Sequence, residues 1–367
     1  MDSEPLLADL APGRTAALAR AISLVENARP GFEELLATLH SRLGHARRIG
    51  ITGPPGAGKS TLVQQLVQSW RRRGLTVGVL AVDPTSPFSG GALLGDRIRM
   101  ETVALDPGVY IRSMATRGSL GGLATSTREV LDVLDASGFD RLLIETVGVG
   151  QSELAVTGMA DSTVLVLVPE SGDGIQTLKS GLMEIVDLYV INKADRPGAD
   201  RLAREIEITL GFRQGNAFRG MRAHHGVAVG RKGGRAEGRK DTTTPGREDR
   251  KLEGRKDGKS EGDPPSWEPP VLLTTASKGD GVEALLEAID RHYDWMEAHG
   301  ELAERRKRRF AARTREVVDR ALQRWTWGET RAEQLLRDRL DDVAAGRMSP
   351  YGLAGEIVAG LKEGVRR

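Results

Sequence analysis

A run of small residues between an apolar and an amphipathic segment has the spacing of a phosphate-binding loop. The run consists of Gly53, Pro54, Pro55, Gly56, Ala57, Gly58, Lys59, Ser60 and Thr61. It matches G-x-x-x-x-G-K-[ST] at every fixed position, and such glycines let backbone N–H groups turn towards phosphate oxygens. Lys59 would reach the β- and γ-phosphates, and Ser60 would ligate Mg²⁺. Residues 48–52 and 61–70 have the strand and helix patterns that such a P-loop requires.

A tetrapeptide after a later apolar segment is suited to reading a purine base. Asn192, Lys193 and Asp195 occupy the fixed positions of N-K-x-D. The carboxylate of such an aspartate accepts two hydrogen bonds from the guanine edge, a pair that adenine cannot donate. The sequence therefore favours guanine over adenine nucleotides. A second guanine-binding loop is predicted at Thr275, Ala276 and Ser277.

Two carboxylates lie where apolar segments end. Asp83 follows residues 77–82, and Glu145 ends residues 142–145. Carboxylates at the carboxyl edge of a parallel sheet face the ligand crevice. There they hold Mg²⁺ directly or through its waters, or orient the attacking water, and the sequence leaves these roles open. The turn-rich residues 84–97 that follow are typical of a switch loop near the γ-phosphate.

Short β-rich segments alternate with helical patterns from residue 48 onwards. This alternation predicts an α/β fold of the P-loop NTPase type, with a mostly parallel sheet and helices on both faces. Helical periodicity also predicts an N-terminal extension at residues 1–46 and a C-terminal helical region at 296–367. The GTPase domain is expected between them, at residues 47–295.

Composition places the chain among ordinary soluble globular proteins. Of its 367 residues, 39% are hydrophobic and 28% are charged, and the formal net charge is only +2, which does not favour a nucleic-acid partner. The absence of cysteine rules out disulfides and thiolate metal sites and fits a reducing cytoplasm. No apolar run approaches the ~20 residues that span a bilayer, so no membrane association is expected.

Three charged features are given non-catalytic interpretations. Residues 215–265 are rich in glycine and charge, with few large apolar side chains, which predicts a disordered insertion. The basic run at residues 305–309 is interpreted as a solvated helix face. The adjacent His224 and His225 lack a third ligand and are not expected to bind a metal.

Six segments together resemble the MeaB/ArgK-type GTPases, the methylmalonyl-CoA mutase-associated group related to metal-insertion GTPases. They are residues 53–61, 83–91, 94–100, 111–122, 144–153 and 192–195. The likeness covers roughly residues 15–212 and 268–360, and the charged insertion departs from the family pattern. The resemblance implies that Asp83 and Asp96 lie in a first switch region and that Glu145 begins a second. The predicted catalytic group is Lys59, Asp83, Asp96 and Glu145, and the predicted metal ligands are Ser60, Asp83 and Glu145.

The family resemblance also implies partners and a conformational cycle. It implies a homodimer, joined through the C-terminal helices, that uses GTP or GDP with Mg²⁺. Its client would be an adenosylcobalamin-dependent acyl-CoA mutase, and adenosylcobalamin would be involved only through that partner. GTP turnover would gate cofactor delivery and protect the mutase. Gln176 and Lys179 match an additional switch that relays the nucleotide state to the mutase.

Two other functions remain as alternatives. A nickel or zinc insertase of the same class would need metal-binding cysteine or histidine tracts, and this chain has no cysteine and a single adjacent histidine pair. An ATP-using kinase linked to basic amino-acid transport conflicts with the guanine-type tetrapeptide at residues 192–195. The switch segments favour the mutase chaperone.

Overall fold

Seven parallel strands form the sheet that positions the candidate site. They are β1 (Arg47–Thr52), β2 (Val77–Asp83), β3 (Val109–Ala115), β4 (Arg141–Thr146), β5 (Ser162–Leu167), β6 (Leu188–Asn192) and β7 (Val271–Thr274). Their order in the sheet is β3-β2-β4-β1-β5-β6-β7, and every neighbouring pair is parallel. The strand β1, which leads into the glycine-rich loop, is therefore central.

The structure is a computed structural model that describes residues 9–11, 14–83, 101–115, 120–146, 152–170, 185–213 and 266–365. The predictions for Asp96, Gln176, Lys179, the histidine pair and the charged insertion lie outside these residues. Among the described residues, 204–213 and 266–268 belong to a second compact unit, separate from the one that contains the sheet.

The helices alternate with the strands and then continue to the end of the described chain. They are α1 (Thr15–Glu26), α2 (Phe32–Leu39), α3 (Lys59–Arg72), α4 (Glu101–Ala104), α5 (Leu120–Ala136), α6 (Ser152–Thr157), α7 (Ala199–Arg213), α8 (Val282–Ala298), α9 (Glu301–Arg324), α10 (Ala332–Ala344) and α11 (Pro350–Val365). A 3-10 turn at His40–Arg42 follows α2, and a π-helical turn at Trp325–Glu329 follows α9. No described helix has the length and apolarity needed to cross a membrane.

Two apolar layers cover the two faces of the sheet. Successive strand residues point to opposite faces, so Leu142 and Ile144 of β4 belong to one layer and Leu143 to the other. The first layer also contains apolar residues of α1, α2, α5 and α6, and the second contains those of α3 and α8. The predicted α/β fold with helices on both faces is confirmed. Because strands buried on both sides read as continuous apolar runs, this part of the sequence is readily recognised.

The C-terminal helices have a small apolar cluster of their own. Ala332, Leu353 and Ile357 of α10 and α11 are buried together. The Ser349-Pro350 dipeptide separates the two helices, because proline is accepted at the first turn of a helix but not in its interior. Ser349 Oγ also accepts a hydrogen bond of 3.0 Å from the Gly352 N–H at the start of α11.

Arginines of α9 reach the amino edge of the sheet, opposite the glycine-rich loop. Arg305 makes two hydrogen bonds to Asp187, of 3.0 and 2.9 Å, and Arg309 Nη2 donates to Asp161 Oδ1 at 2.7 Å. Arg306 lies 3.3 Å from the other oxygen of Asp161. Both carboxylates are buried and directly precede strands, Asp161 before β5 and Asp187 before β6. These ion pairs attach α9 to the sheet.

The prediction of a solvated face at residues 305–309 is therefore wrong for three of its five residues. Lys307 and Arg308 are exposed, whereas Arg305, Arg306 and Arg309 are partly buried. Arg309 lies three positions after Arg306 and four after Arg305, which places the three paired arginines on one side of the helix. A basic run alone does not reveal that buried carboxylates lie opposite one of its faces.

Asp161 remains ionised although it is almost completely buried. Burial alone would raise the pKa of this carboxyl, but the charges of Arg309 and Arg306 outweigh that effect. The backbone N–H of Arg48 donates a further hydrogen bond of 3.0 Å to Asp161. The pKa of Asp161 is therefore lowered from its ordinary value.

A serine, a histidine and an aspartate form a chain beside this network. His292 Nδ1 lies 2.8 Å from Ser162 Oγ, and His292 Nε2 lies 3.3 Å from Asp187 Oδ1. Burial alone would raise the pKa of Asp187, but His292 and Arg305 outweigh it and lower the pKa. The same order of groups activates a serine in hydrolases. Here the three residues are at most 4% exposed, so a substrate has no access to Ser162 and the network is structural.

Candidate functional site

The glycine-rich loop turns from β1 into α3 at the carboxyl edge of the sheet. Gly53 and Gly58 have φ values of 141° and 84°, which L side chains rarely adopt. A Cβ at Gly53 would lie 2.1 Å from the carbonyl oxygen of Val166, so the loop also passes too close to β5 for any side chain there. The helix α3 begins at Lys59, and no side chain in the described part of the chain caps its amino terminus. This terminus is therefore suited to an anion.

Lys59 and Ser60 begin α3 with their polar groups inside the loop. Lys59 Nζ donates hydrogen bonds to the carbonyl oxygens of Gly53 and Pro54, at 2.8 and 3.0 Å. Ser60 Oγ donates to Glu145 Oε1 at 2.6 Å, and both residues are buried. The structure thus brings the predicted lysine, hydroxyl and carboxylate to one edge of the sheet.

The position of Glu145 follows from the register of the central strands. Glu145 is the penultimate residue of β4 and pairs with Ile51 of β1, next to the start of the loop. Asp83 is the last residue of β2, and its neighbour Val82 pairs with Thr146 at the end of β4. The ends of the two strands that carry the predicted metal ligands Asp83 and Glu145 are therefore adjacent in the sheet. Their roles remain predictions.

The donor set at this edge fits Mg²⁺. Hard divalent cations take oxygen ligands, and the hydroxyl of Ser60 and a carboxylate oxygen of Glu145 are already within 2.6 Å of each other. A group of three or more His, Cys, Asp or Glu side chains that could hold a metal by themselves is not found among the described residues. Mg²⁺ is usually held by few protein ligands together with phosphate oxygens and water.

Asn192 connects the loops that follow three different strands. Its Nδ2 donates to the carbonyl oxygen of Ala57 at 2.8 Å. Its Oδ1 accepts hydrogen bonds from Thr274 Oγ1 at 3.2 Å and from the Ala276 N–H at 3.0 Å. All of these side chains and backbone groups are buried, so both the nitrogen and the oxygen of the Asn192 amide are fixed by buried hydrogen bonds. A Cβ at Gly58 would lie 2.4 Å from Asn192 Nδ2, which explains the glycine before Lys59.

The residues after Asn192 approach the same loop. Lys193 has a left-handed φ of 57°, and its Nζ donates to the carbonyl oxygen of Gly56 at 2.8 Å. The side chain of Asp195 is 43% exposed, and its Oδ2 accepts a hydrogen bond of 3.3 Å from Lys278 Nζ. The carboxylate is therefore open to a ligand from solvent.

The second predicted guanine-binding loop lies beside the first. Thr275 and Ala276 are buried and Ser277 is exposed. Thr274 and Lys278, on either side of these three residues, make the side-chain contacts with the tetrapeptide and were missed by the sequence reasoning. A threonine at the end of a strand and a lysine in a turn have no motif that distinguishes them, so only their spatial positions identify them.

Comparisons with known proteins agree with this geometry. The family described as the methylmalonyl-CoA mutase-associated GTPase MeaB matches residues 18–331. A protein of Pyrococcus abyssi described as a GTPase is 42% identical over 315 residues, which cover 86% of this chain and 83% of that protein. Another from Caulobacter vibrioides is 36% identical over 370 residues and covers 99% of this chain and 94% of that protein.

A solved structure is similar over nearly the whole chain. It is the crystal structure of an LAO/AO transport system kinase, with a TM-score of 0.61 and 25% identity, and the match covers 98% of this chain and 97% of that one. The family match also extends over most of this sequence, from residue 18 to residue 331. The chain therefore belongs to the MeaB family of P-loop GTPases.

Proposed function

We propose that this GTPase is a G-protein chaperone of an adenosylcobalamin-dependent methylmalonyl-CoA mutase. GTP binding and hydrolysis would be coupled to cofactor loading and to protection of the mutase. The supporting observation is the match over residues 18–331 to a family whose description names that mutase. Adenosylcobalamin would be held by the mutase, and this chain would hold only Mg²⁺ with GTP or GDP. Action in the cytoplasm is part of the proposal.

The phosphate end of the nucleotide would lie at the start of α3. Lys59 is held inside the loop by two backbone carbonyls, from which its ammonium can turn to the β- and γ-phosphates. Backbone N–H groups of residues 53–61 would bind the phosphate oxygens. Ser60, with Asp83 and Glu145, would hold Mg²⁺, which when bound neutralises charge that develops on those oxygens.

The base would lie against Asp195. Its exposed carboxylate can accept the N1–H and 2-amino hydrogens of guanine, whereas adenine presents an acceptor at N1. Asn192 would position the base-binding loops, because its amide joins residues 57, 274 and 276. Thr275, Ala276 and Ser277 would border the base from the neighbouring loop.

Coupling to the mutase is assigned to residues outside the described part of the chain. Asp96 would belong to the first switch, and Gln176 and Lys179 would relay the nucleotide state to the partner. The experiment is to immobilise the mutase and measure capture of this protein with GDP and with a non-hydrolysable GTP analogue. We expect capture to depend on the nucleotide, and Lys179→Ala to reduce that dependence while basal GTPase activity is kept. Equal capture in both nucleotide states would contradict the proposal.

Homodimer formation through residues 296–367 is also part of this proposal. Large apolar side chains are exposed on this region, namely Val318, Leu322, Trp327, Leu340, Tyr351 and Val358. Val318 and Leu322 are one turn apart on α9, so their exposed side chains are neighbours, and contiguous exposed apolar patches usually mark interfaces. Light scattering should give a dimer for the wild type and a monomer for the Val318→Glu and Leu322→Glu double variant. A monomeric wild type would contradict this assignment. The boundaries between the predicted regions 1–46, 47–295 and 296–367 remain predictions.

Metal insertion and amino-acid transport remain the alternative functions. An LAO/AO transport system kinase, a protein named for amino-acid transport, is similar in structure to this chain. Two measurements separate the alternatives from the chaperone: the stoichiometric binding of nickel or zinc by the isolated protein, and transfer of the γ-phosphate to a protein substrate. The chaperone proposal expects neither.

A further inference from the structure

Lys278 is paired with the carboxylate that would read the base. Its Nζ donates to Asp195 Oδ2 at 3.3 Å, and the two side chains are 60% and 43% exposed. Within the described ranges, Lys278 is the one side chain that hydrogen-bonds to this carboxylate. The two residues are distant in sequence and lie in the loops after β6 and β7.

The backbone holds Lys278 in this place. The Lys278 N–H donates to the Thr275 carbonyl oxygen at 2.8 Å, and the Thr275 N–H donates to the Asp280 carbonyl oxygen at 3.0 Å. Gly281 closes the turn with a φ of 73°, and a Cβ there would lie 2.1 Å from the carbonyl oxygen of Leu273. Since this tight loop fixes the Cα of Lys278, its ammonium stays within reach of Asp195.

A carboxylate has room for this lysine and for a base. It has about four lone-pair sites on two oxygens. Guanine uses two of them, through N1–H and the 2-amino group, and hypoxanthine lacks the amino group and uses only one. In a site without another donor, the second oxygen of Asp195 would lose its partner when hypoxanthine binds, and that loss is what makes such sites selective.

We propose that Lys278 determines how strictly the site requires the 2-amino group of guanine. The proposal rests on the assignment of Asp195 to the base. Lys278 supplies the donor that hypoxanthine lacks, so that an inosine nucleotide binds with only a small loss. With a guanine nucleotide, the ammonium moves to a remaining lone pair or into solvent, and its contribution to affinity is small because the ion pair is exposed.

The test is a titration of the full chain with GDP and IDP in the presence of Mg²⁺, by calorimetry. Diphosphates are used so that hydrolysis does not interfere. For Lys278→Ala we expect the ratio of the IDP to the GDP dissociation constant to rise about five- to tenfold above wild type, less than for a fully buried charged hydrogen bond. The rise should come from weaker IDP binding.

Three further variants control the measurement. Lys278→Met keeps the apolar stem and should give the same rise as Lys278→Ala. Lys278→Arg keeps the donor and should give a ratio close to wild type. Lys307→Ala removes an exposed lysine from α9 and should change nothing. A ratio that is unchanged or lower in both Lys278→Ala and Lys278→Met would overturn the proposal.

ADP separates this inference from the proposed function. If GDP binds more tightly than ADP in wild type, and Asp195→Ala removes the preference, the guanine site stands whatever the Lys278 variants do. An unchanged IDP ratio would then overturn only the role of Lys278. Equal binding of GDP and ADP by wild type would overturn both.

Discussion

The amide of Asn192 and the carbonyl oxygen of Ala57 lie 2.8 Å apart and form a buried hydrogen bond. This bond joins the end of β6 to the phosphate loop, and Gly58 leaves the space for it. The same asparagine accepts hydrogen bonds from the loop after β7. The elements assigned to phosphate and to base are therefore parts of one hydrogen-bonded unit, and a change at Asn192 should affect both.

Asn192→Ala should lower both the stability and the nucleotide affinity. It removes the partner of a buried carbonyl and of a buried N–H, and each buried group left unpaired costs about 1–3 kcal/mol. For these two groups together we expect the free energy of unfolding without nucleotide to fall by about 2–6 kcal/mol, as measured by urea denaturation. Asp195→Ala is the matched control, because its exposed side chain should affect affinity only. An Asn192→Ala protein as stable as wild type would show that the unit is not joined in this way.

Lys59→Ala should abolish hydrolysis while the fold is kept. The ammonium would neutralise charge that develops between the β- and γ-phosphates, and loss of such a group typically costs a factor of about 10²–10³ in rate. Phosphate release under saturating GTP measures the effect, and Lys307→Ala serves as the exposed control. Turnover near the wild-type rate would mean that residues 53–61 do not bind the phosphates.

Asp161→Asn should destabilise the attachment of α9. The substitution leaves Arg306 and Arg309 facing a neutral side chain, and breaking a buried ion pair on one side costs about 3–5 kcal/mol. The change in unfolding free energy, measured in urea, should be close to this range. Asp319→Asn, on the exposed side of α9, should have little effect. Equal losses of unfolding free energy in the two variants would contradict the assignment of α9 attachment to its ion pairs with Asp161.

The ion pairs of Asp161 and Asp187 with the arginines of α9 also predict how stability depends on pH. The pKa values of Asp161 and Asp187 are lower in the folded protein than the ordinary value of about 3.9 expected in the unfolded chain. Their contribution is therefore complete above that ordinary value and is lost as the pH falls through it towards the lowered folded pKa. Urea denaturation between about pH 5 and 2 should show a steep loss of stability, and Asp161→Asn should make that loss less steep. Parallel curves for the two proteins would contradict the assignment.

The central features of the fold and the position of the phosphate loop could be predicted from the sequence. The continuous apolar strands and the glycine-lysine-serine pattern are local signals, and the apolar segments at residues 48–52, 77–82 and 142–145 were found as strands of the sheet. The meeting of Ser60 and Glu145 at one edge of the sheet could also be predicted from the sequence, because parallel strands present their carboxyl ends together.

Contacts between residues that are distant in the sequence could not be predicted from such local signals. The pairing of Lys278 with Asp195 depends on the register of β6 against β7 and on a turn that ends at Gly281. The arginines of α9 were misread because their partners, Asp161 and Asp187, stand before strands as single charged residues without a motif. A basic run has the same local pattern whether its carboxylate partners are absent or lie across the fold.

The most direct test of the account is the relative affinity for GDP and ADP in wild type and in Asp195→Ala. Because adenine cannot donate the pair of hydrogen bonds that Asp195 accepts, we expect wild type to bind GDP about 100-fold or more tighter than ADP. Asp195→Ala should bring the two dissociation constants close together, mainly by weakening GDP binding. Equal affinities for GDP and ADP in wild type, or an unchanged preference in Asp195→Ala, would contradict the assignment of this site to guanine.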